Sequence, residues 1–442
     1  MAALQPPFLV VGDILGSMKR ERFPEAWVKV KCERREAYGC GENGKRMVDG
    51  LHLYTRPGPE DHPDFNPAIR VVPSRDVLNL IGCELDEVFA QIYGRGIRDC
   101  AKVHSVGGGV MVLNISFVAG HKSTAFRSYC LVYDSKAPGA LFLLPQRPHG
   151  SLPLCAASPL MLGQDKFTVA LMVERLAPDS STYPVLCLWS PPALLPATCI
   201  KGKHRLNNES EECAWIEKGE LSGAYPMIRQ HARAARGFTP TLVFSYKGSA
   251  VWGDLGQGIL YCDCADLNVG RAPVNFKLKM LPLECREAFD MDAAPYPMYR
   301  NMGCVGDSIW FVHIKPAPDD HDAMVKVWTL DRLSEEEEWK PHREFSMQTI
   351  WDLQDGSKLP KTAPMFPFFR QKKDDAILYM LLTEPGTYSG REEFAHLLGI
   401  DLSSSCEELR LLPPRHLVLP YMRCPLILDP SFLGPRPRRM PV

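Results

Sequence analysis

Apolar residues in this chain fall in short runs of about four to eight, each closed off by Gly, Pro, Asp or Ser, which is the pattern of β-strands. In the first half these runs predict strands over Val110–Ser116, Tyr129–Asp134, Phe167–Val173 and Val185–Trp189. In the second half they predict Thr241–Tyr246, Ala250–Asp254, Ile259–Cys262, Ser308–Ile314, Val325–Leu330, Ile377–Leu382 and His396–Leu402. Helical spacing is met at Leu85, Val88, Phe89 and Ile92, which predicts a helix over Glu84–Tyr93. Arg391–Leu398 fits either element, and a strand is the better reading. The chain is read as mostly β.

Several runs do not alternate. Ile309-Trp310-Phe311-Val312 is apolar on both faces, and Val327-Trp328-Thr329-Leu330 nearly so. An antiparallel sheet with one wet face would alternate cleanly, so these strands need cover on both sides. Radially packed propeller blades supply it. A weak repeat agrees. Leu242–Tyr246, a Lys247-Gly248 turn and Val251–Asp254 are echoed by Met302–Val305, a Gly306-Asp307 turn and Ile309–Ile314. A third echo is Met365–Phe369, an Asp374-Asp375 turn and Ile377–Leu382. Val185–Ser190 and Val325–Thr329 share an apolar-Trp-[Ser/Thr] ending, each followed by a second tryptophan, Trp215 and Trp339. The expected fold is an all-β, propeller-like array of short antiparallel strands, with two β-sandwich domains as the alternative. Its expected layout is an irregular segment 1–95, a propeller-like body 96–415 and a tail 416–442.

Composition adds three constraints. The 39 prolines are nearly twice the usual share of roughly 5%, and they gather where loops are expected, as at 145–159, 191–196, 282–297 and 360–367. A formal net charge of -1 excludes the broad basic surface that phosphate-dominated nucleic-acid binding needs. The 15 cysteines lack a short-spacing framework, which points to reduced thiols in a cytoplasmic or nuclear protein. No secretory leader or apolar membrane span is read in the sequence, and the sequons at Asn114 and Asn208 are then chance.

The most distinctive stretch is Val251-Trp252-Gly253-Asp254-Leu255-Gly256-Gln257-Gly258-Ile259-Leu260-Tyr261-Cys262-Asp263. It reads as a strand, a tight turn and a returning strand, with Gly256 and Gly258 expected to supply positive φ. At Trp252, Asp254, Leu255, Gly258, Ile259, Leu260, Cys262 and Asp263 it resembles the hallmark of a plant family expanded in grasses, domain of unknown function 1618. The resemblance runs on through Met280–Leu283, Asp307–Val312 and Val325–Leu330, giving a hallmark region of 251–383, and reaches back to Leu131–Asp134 and Leu141–Pro145. Where the family has Arg-Asp, this chain has Arg300-Asn301. The resemblance implies a propeller-like fold similar to F-box-associated β domains, without an F-box, and implies no activity.

Candidate chemistry is thin. Asp319-Asp320-His321-Asp322 offers ligands to a hard cation, but a solvated hairpin tip accounts for it. Cys262 and Cys264 would share a face if the strand continued, with Cys285 and Cys304 loosely available, yet packing is favoured over zinc. Gly107-Gly108-Gly109 lacks the Lys-[Ser/Thr] of a phosphate loop and reads as a hairpin turn. His313 is read as a core histidine, and His204 as part of a basic loop. No Gly-x-Ser-x-Gly elbow is found, and Asp290 with Asp292 is a carboxylate pair whose separation in space sequence does not define, so glycosidase chemistry stays only conceivable. Ser334–Glu338 reads as a solvated acidic loop and Arg436–Arg439 as an ordinary basic end.

No catalytic, cofactor or metal residues are assigned on this basis. The function expected is a non-enzymatic, monomeric module that binds an unidentified protein through loops at 191–206, 286–300 and 352–364, with neither nucleic acid nor membrane as partner. The alternative is a propeller hydrolase acting on a carbohydrate or ester at a central channel.

Overall fold

The computed structural model describes residues 8–10, 27–56, 68–81, 97–119, 126–136, 139–145, 151–153, 155, 157–162, 166–176, 182–191, 215–220, 238, 240–268, 274–286, 296–316, 323–353, 359–372, 375–383, 393–403, 410–411, 415–419 and 426–428. The helix expected at Glu84–Tyr93 lies outside these residues, as does the Asp374 turn position. Among the described residues strands dominate, and every pairing but one is antiparallel. The exception joins Arg34–Ala37 to the strand Ala140–Pro145 in parallel. Helices are short: Gly44–Gly50, 75–81, Cys264–Asn268, Leu283–Arg286, Tyr296–Tyr299 and Met347–Trp351. Arg391–Leu398 resolves as expected, within the strand Glu393–Asp401.

The chain divides into two compact units. The first contains residues 1–220 together with 268–273 and 425–442. Within it, a three-stranded sheet (Val28–Lys29, Leu51–Arg56, Ala68–Pro73) precedes a sheet of Ile97–Gly107, Val110–Ala119, Phe126–Asp134 and Ala140–Pro145. A further sheet contains Ser151–Pro153, Ser158–Met161, Phe167–Leu176, Thr182–Trp189 and Ile216–Glu220. Strand Phe8–Val10 pairs with Leu426–Leu428. The middle sheet is buried on both faces. Met111, Leu113, Ile115 and Leu131 face the first sheet and its helices, while Val110, Val112, Cys130 and Val132 face Phe167, Val169, Cys187 and Trp189.

The second unit holds three up-and-down meanders in chain order. They are Leu242–Tyr246, Ser249–Asp254, Gly258–Asp263, Lys277–Met280; then Arg300–Val305, Ser308–Lys315, Met324–Leu330, Lys340–Ser346; then Met365–Lys372, Asp375–Thr383, Glu393–Asp401, with Arg410–Leu411 and Arg415–Leu419 on the last. The central meander repeats the two-sided burial. Ile309, Phe311, Trp328 and Leu330 pack toward Val251, Ile259 and Tyr261, whereas Trp310, Val312, Val325 and Val327 pack toward Leu378, Met380, Leu398 and Ile400. Non-alternating strands therefore mean stacked sheets, as the apolar runs required. Three sheets stack in each unit, where a sandwich has two. The expected all-β array of short antiparallel strands is the observed architecture.

One recurring device ties a sheet to its predecessor. Trp215 stands just before its sheet's last strand and donates its indole N–H to Pro145 O, 3.1 Å away. Trp339, just before Lys340–Ser346, donates to Met280 O at 2.9 Å. Both acceptors close the last strand of the preceding sheet. The sequence echo of paired tryptophans thus marks a cross-sheet clip.

Two expectations need correction. Positive φ occurs at Lys247 (44°), Gly248 (82°), Gly108 (56°), Gly109 (82°) and Gly306 (56°), in the two-residue hairpin turns, and not at Gly256 or Gly258. Gly258 is required for a different reason. A Cβ there would lie 2.3 Å from Lys279 O, against the neighbouring strand. Cys262 and Cys264 do not share a strand face, because the strand ends at Asp263 and Cys264 opens a helix.

Candidate functional site

The turn within the distinctive stretch is built by its own aspartate. Asp254 is buried; its Oδ1 accepts the Gly256 N–H at 2.8 Å and its Oδ2 the Gln257 side-chain amide at 3.2 Å. An Asx turn of this kind lets the backbone reverse without a long loop. Gln257 N–H closes on Asp254 O at 3.2 Å, and Leu281 N–H reaches Gln257 O at 3.0 Å. Trp252 is fully buried, edge-on to Phe276 with ring centroids 5.6 Å apart. Leu255, Ile259, Leu260 and Cys262 are buried, and Asp263 is exposed with its Oδ1 capping the Ala265 N–H at 2.8 Å. These eight positions shape and pack a hairpin.

That turn delivers Leu255 O to a buried cluster of nucleophilic and basic groups. Arg300 begins its strand directly opposite His313, and only 1% of its surface is exposed. Its guanidinium donates from Nη1 to Leu255 O at 2.9 Å and from Nη2 to Cys285 O at 2.8 Å. Nη2 also lies 3.4 Å from His313 Nε2, and His313 Nδ1 lies 3.7 Å from Cys285 Sγ. A Cys–His pair beside a cation resembles the start of a nucleophilic site.

Its electrostatics point the other way. Guanidinium only donates, so His313 Nε2 is the acceptor and the imidazole proton sits on Nδ1, facing the sulfur. The lone pair needed to take the Cys285 proton is turned toward Arg300. Burial, with Arg300, Lys315 and Lys326 adding to it, pushes His313 down to about 3, so the ring is neutral. Burial likewise pushes the Cys285 thiol up to about 12, against the pull of Arg300. A neutral thiol beside a neutral imidazole is the reverse of the thiolate pair that catalysis uses. The cluster ties two sheets and one helix together through backbone carbonyls.

Cys285, Arg300 and His313 were each noted in sequence for separate reasons, but their meeting was not read. An arginine opening an otherwise apolar strand, opposite a histidine inside one, was the available signal. Asn301 beside it donates its side-chain amide to Pro367 O at 2.7 Å, which an aspartate in its place could not do. At the surface, Lys326 bridges Glu284 at 2.7 Å and Glu344 at 3.2 Å.

The other candidates separate. Gly108 and Gly109 form a hairpin turn whose Gly109 O accepts the Ser135 N–H at 2.9 Å. In the acidic stretch Glu335, Glu336 and Glu338 are exposed, and Ser334 Oγ accepts the Glu337 N–H at 3.1 Å. Among the described residues no group of three or more His, Cys, Asp or Glu could hold a metal ion, and no helix is long and apolar enough to cross a membrane. Asp319–Asp322, Asp290, Asp292, His204, Asn208 and Arg436–Arg439 lie outside the described residues.

Residues 252–379 match the family described as a protein of unknown function, DUF1618, so the resemblance read from the Trp252–Asp263 stretch holds over that segment. No curated protein matches the chain in sequence. Among solved structures, similarity is found to the catalytic domain of a Coprinopsis cinerea GH62 α-L-arabinofuranosidase (10% identity, 64% of this chain and 84% of that one, TM-score 0.32). A Podospora anserina α-L-arabinofuranosidase in complex with cellotriose matches at 12% identity over 71% and 89%, TM-score 0.32. A Bacillus subtilis levansucrase in complex with oligosaccharides matches at 8% over 73% and 88%, TM-score 0.33. At these scores the likeness carries no argument for this chain.

Proposed function

We propose that the chain is a non-enzymatic, monomeric module of the cytoplasm or nucleus that binds another protein through loops carried on stacked sheets. One observation carries the reading: in the Cys285–His313–Arg300 cluster the thiol and the imidazole are buried and neutral, and the guanidinium is committed to two backbone carbonyls. Two-sided burial supports it, since a rigid scaffold with connections at its rims suits recognition by loops. Of the three loops expected to recognise the partner, residues 192–206, 287–295 and 354–358 lie outside the described residues.

The test is affinity capture with the full chain, followed by binding of the purified partner to variants in which residues 192–206, 287–295 or 354–358 are replaced by a Gly/Ser segment, so that Arg300 and Leu359 stay in place. A stoichiometric complex lost on replacing one loop, with the circular dichroism spectrum unchanged, is the expected result. A chain that hydrolyses glycosides or esters overturns the reading, and loss of that activity in Cys285→Ala would also overturn the inert character of the cluster.

A further inference from the structure

Three sheets share a hydrogen-bonded detail at the same register. Val110 stands opposite Asp134, Ser249 opposite Asp263, and Ile377 opposite Asp401. Each aspartate ends the third strand of its sheet, after Leu131-Val132-Tyr133, Leu260-Tyr261-Cys262 and Leu398-Gly399-Ile400 respectively. The next residue donates its N–H back to the start of the second strand: Ser135 to Gly109 O at 2.9 Å, Cys264 to Gly248 O at 2.8 Å, Leu402 to Ala376 O at 3.0 Å. The aspartate Oδ1 then accepts the following amide, from Lys136 at 3.1 Å, Ala265 at 2.8 Å and Ser403 at 3.1 Å. A single Asx turn at a strand end is common. In three sheets the ladder thus ends on an aspartate whose carboxylate takes over the next amide.

We infer that these sheets are copies of one module closed by an aspartate clasp, and that the module extends on both sides of the matched segment 252–379, since Asp134 and Asp401 lie outside it. The clasp fixes where the third strand stops by giving its next two amides partners, so the chain leaves toward the last strand in a set direction. The central sheet of the second unit departs from the pattern. There Asp331 follows Leu330, and its Oδ1 accepts the Ser308 hydroxyl at 2.8 Å while Oδ2 takes Lys340 at 2.6 Å. The inference stands whether or not the chain binds a partner.

The clasp needs an acceptor at Oδ1 and no charge, which sets the experiment. In the full chain, Asp→Ala and Asp→Asn are made at positions 134, 263 and 401 and amide hydrogen exchange is followed. Alanine is expected to speed exchange about tenfold for the two amides after the substituted site, with the other two sheets unmoved, and asparagine to retain most of the protection. Should an alanine variant fail to fold, Asp→Glu, whose longer side chain misplaces the oxygen, replaces it in the comparison. Asparagine as damaging as alanine, or a response at only one of the three sites, overturns the inference.

Discussion

Trp252 is the largest of the fully buried side chains among the described residues. Its replacement by alanine leaves a cavity beside its cross-strand partner Leu260 and the ring of Phe276. Trp252→Ala is expected to cost about 3–5 kcal/mol in denaturant unfolding. Its indole N–H is buried with no hydrogen bond, so Trp252→Phe, which keeps a ring and drops that donor, is expected to cost much less. Equal losses for the two would mean that the N–H matters. His313 gives a pH signature. Its folded-state pKa is held near 3, below the ordinary histidine value, so the unfolded chain takes up the proton first. Its contribution to stability is complete above roughly pH 6.5 and is lost as pH falls toward the folded value. The unfolding midpoint followed from pH 7 to 4 is expected to fall less steeply in His313→Gln; equal slopes would assign the dependence to other groups. Sequence showed that His313 is in the core, but which nitrogen faces Arg300 is a property of cross-strand register.

Elements were legible wherever apolar runs were long. All the strands expected from Val110 to Leu402 are present within a few residues of their expected ends. The helix Gly44–Gly50 was not read, because Gly-Lys-Arg-Met-Val-Asp-Gly has a glycine at each end and too few apolar positions to set a period. The two-residue turns were read well at Lys247-Gly248 and wrongly at Gly256, since a glycine excluded by a neighbouring carbonyl and one needed for positive φ look alike in sequence. The clasp aspartates escaped notice for a related reason: one residue per sheet, spaced by loops of unequal length, leaves no period. The tryptophan clip belongs to this scale. Trp339→Phe removes the bond to Met280 O while the ring keeps its packing against Phe311. About 1 kcal/mol of stability is expected to be lost. Faster exchange should appear in Lys277–Met280, a strand of the neighbouring sheet; a change confined to Lys340–Ser346 would contradict the clip.

For the whole molecule, contacts divide the chain into two units. The second unit is nearly continuous in sequence, 221–267 and 274–424, and has its own stacked core. A chain of residues 221–424 is therefore expected to fold alone, with a β circular-dichroism spectrum and one cooperative thermal transition. A fragment without a transition would show that this unit draws on the rest of the chain. Function was the least legible property, because a recognition surface carries no fixed residue pattern, unlike a metal site or a nucleophile elbow.

The up-and-down order of the sheets has a kinetic side. Among the described residues most strand pairs join neighbours in sequence, so each meander closes short loops and can form as soon as its own residues are available. Two pairings cannot. The parallel strand Arg34–Ala37 must wait for Ala140–Leu143, and Phe8–Val10 for Leu426–Leu428. During synthesis the earliest strands are thus held without their partners longest, and their edges are the ones exposed to mispairing with other chains while the later meanders assemble.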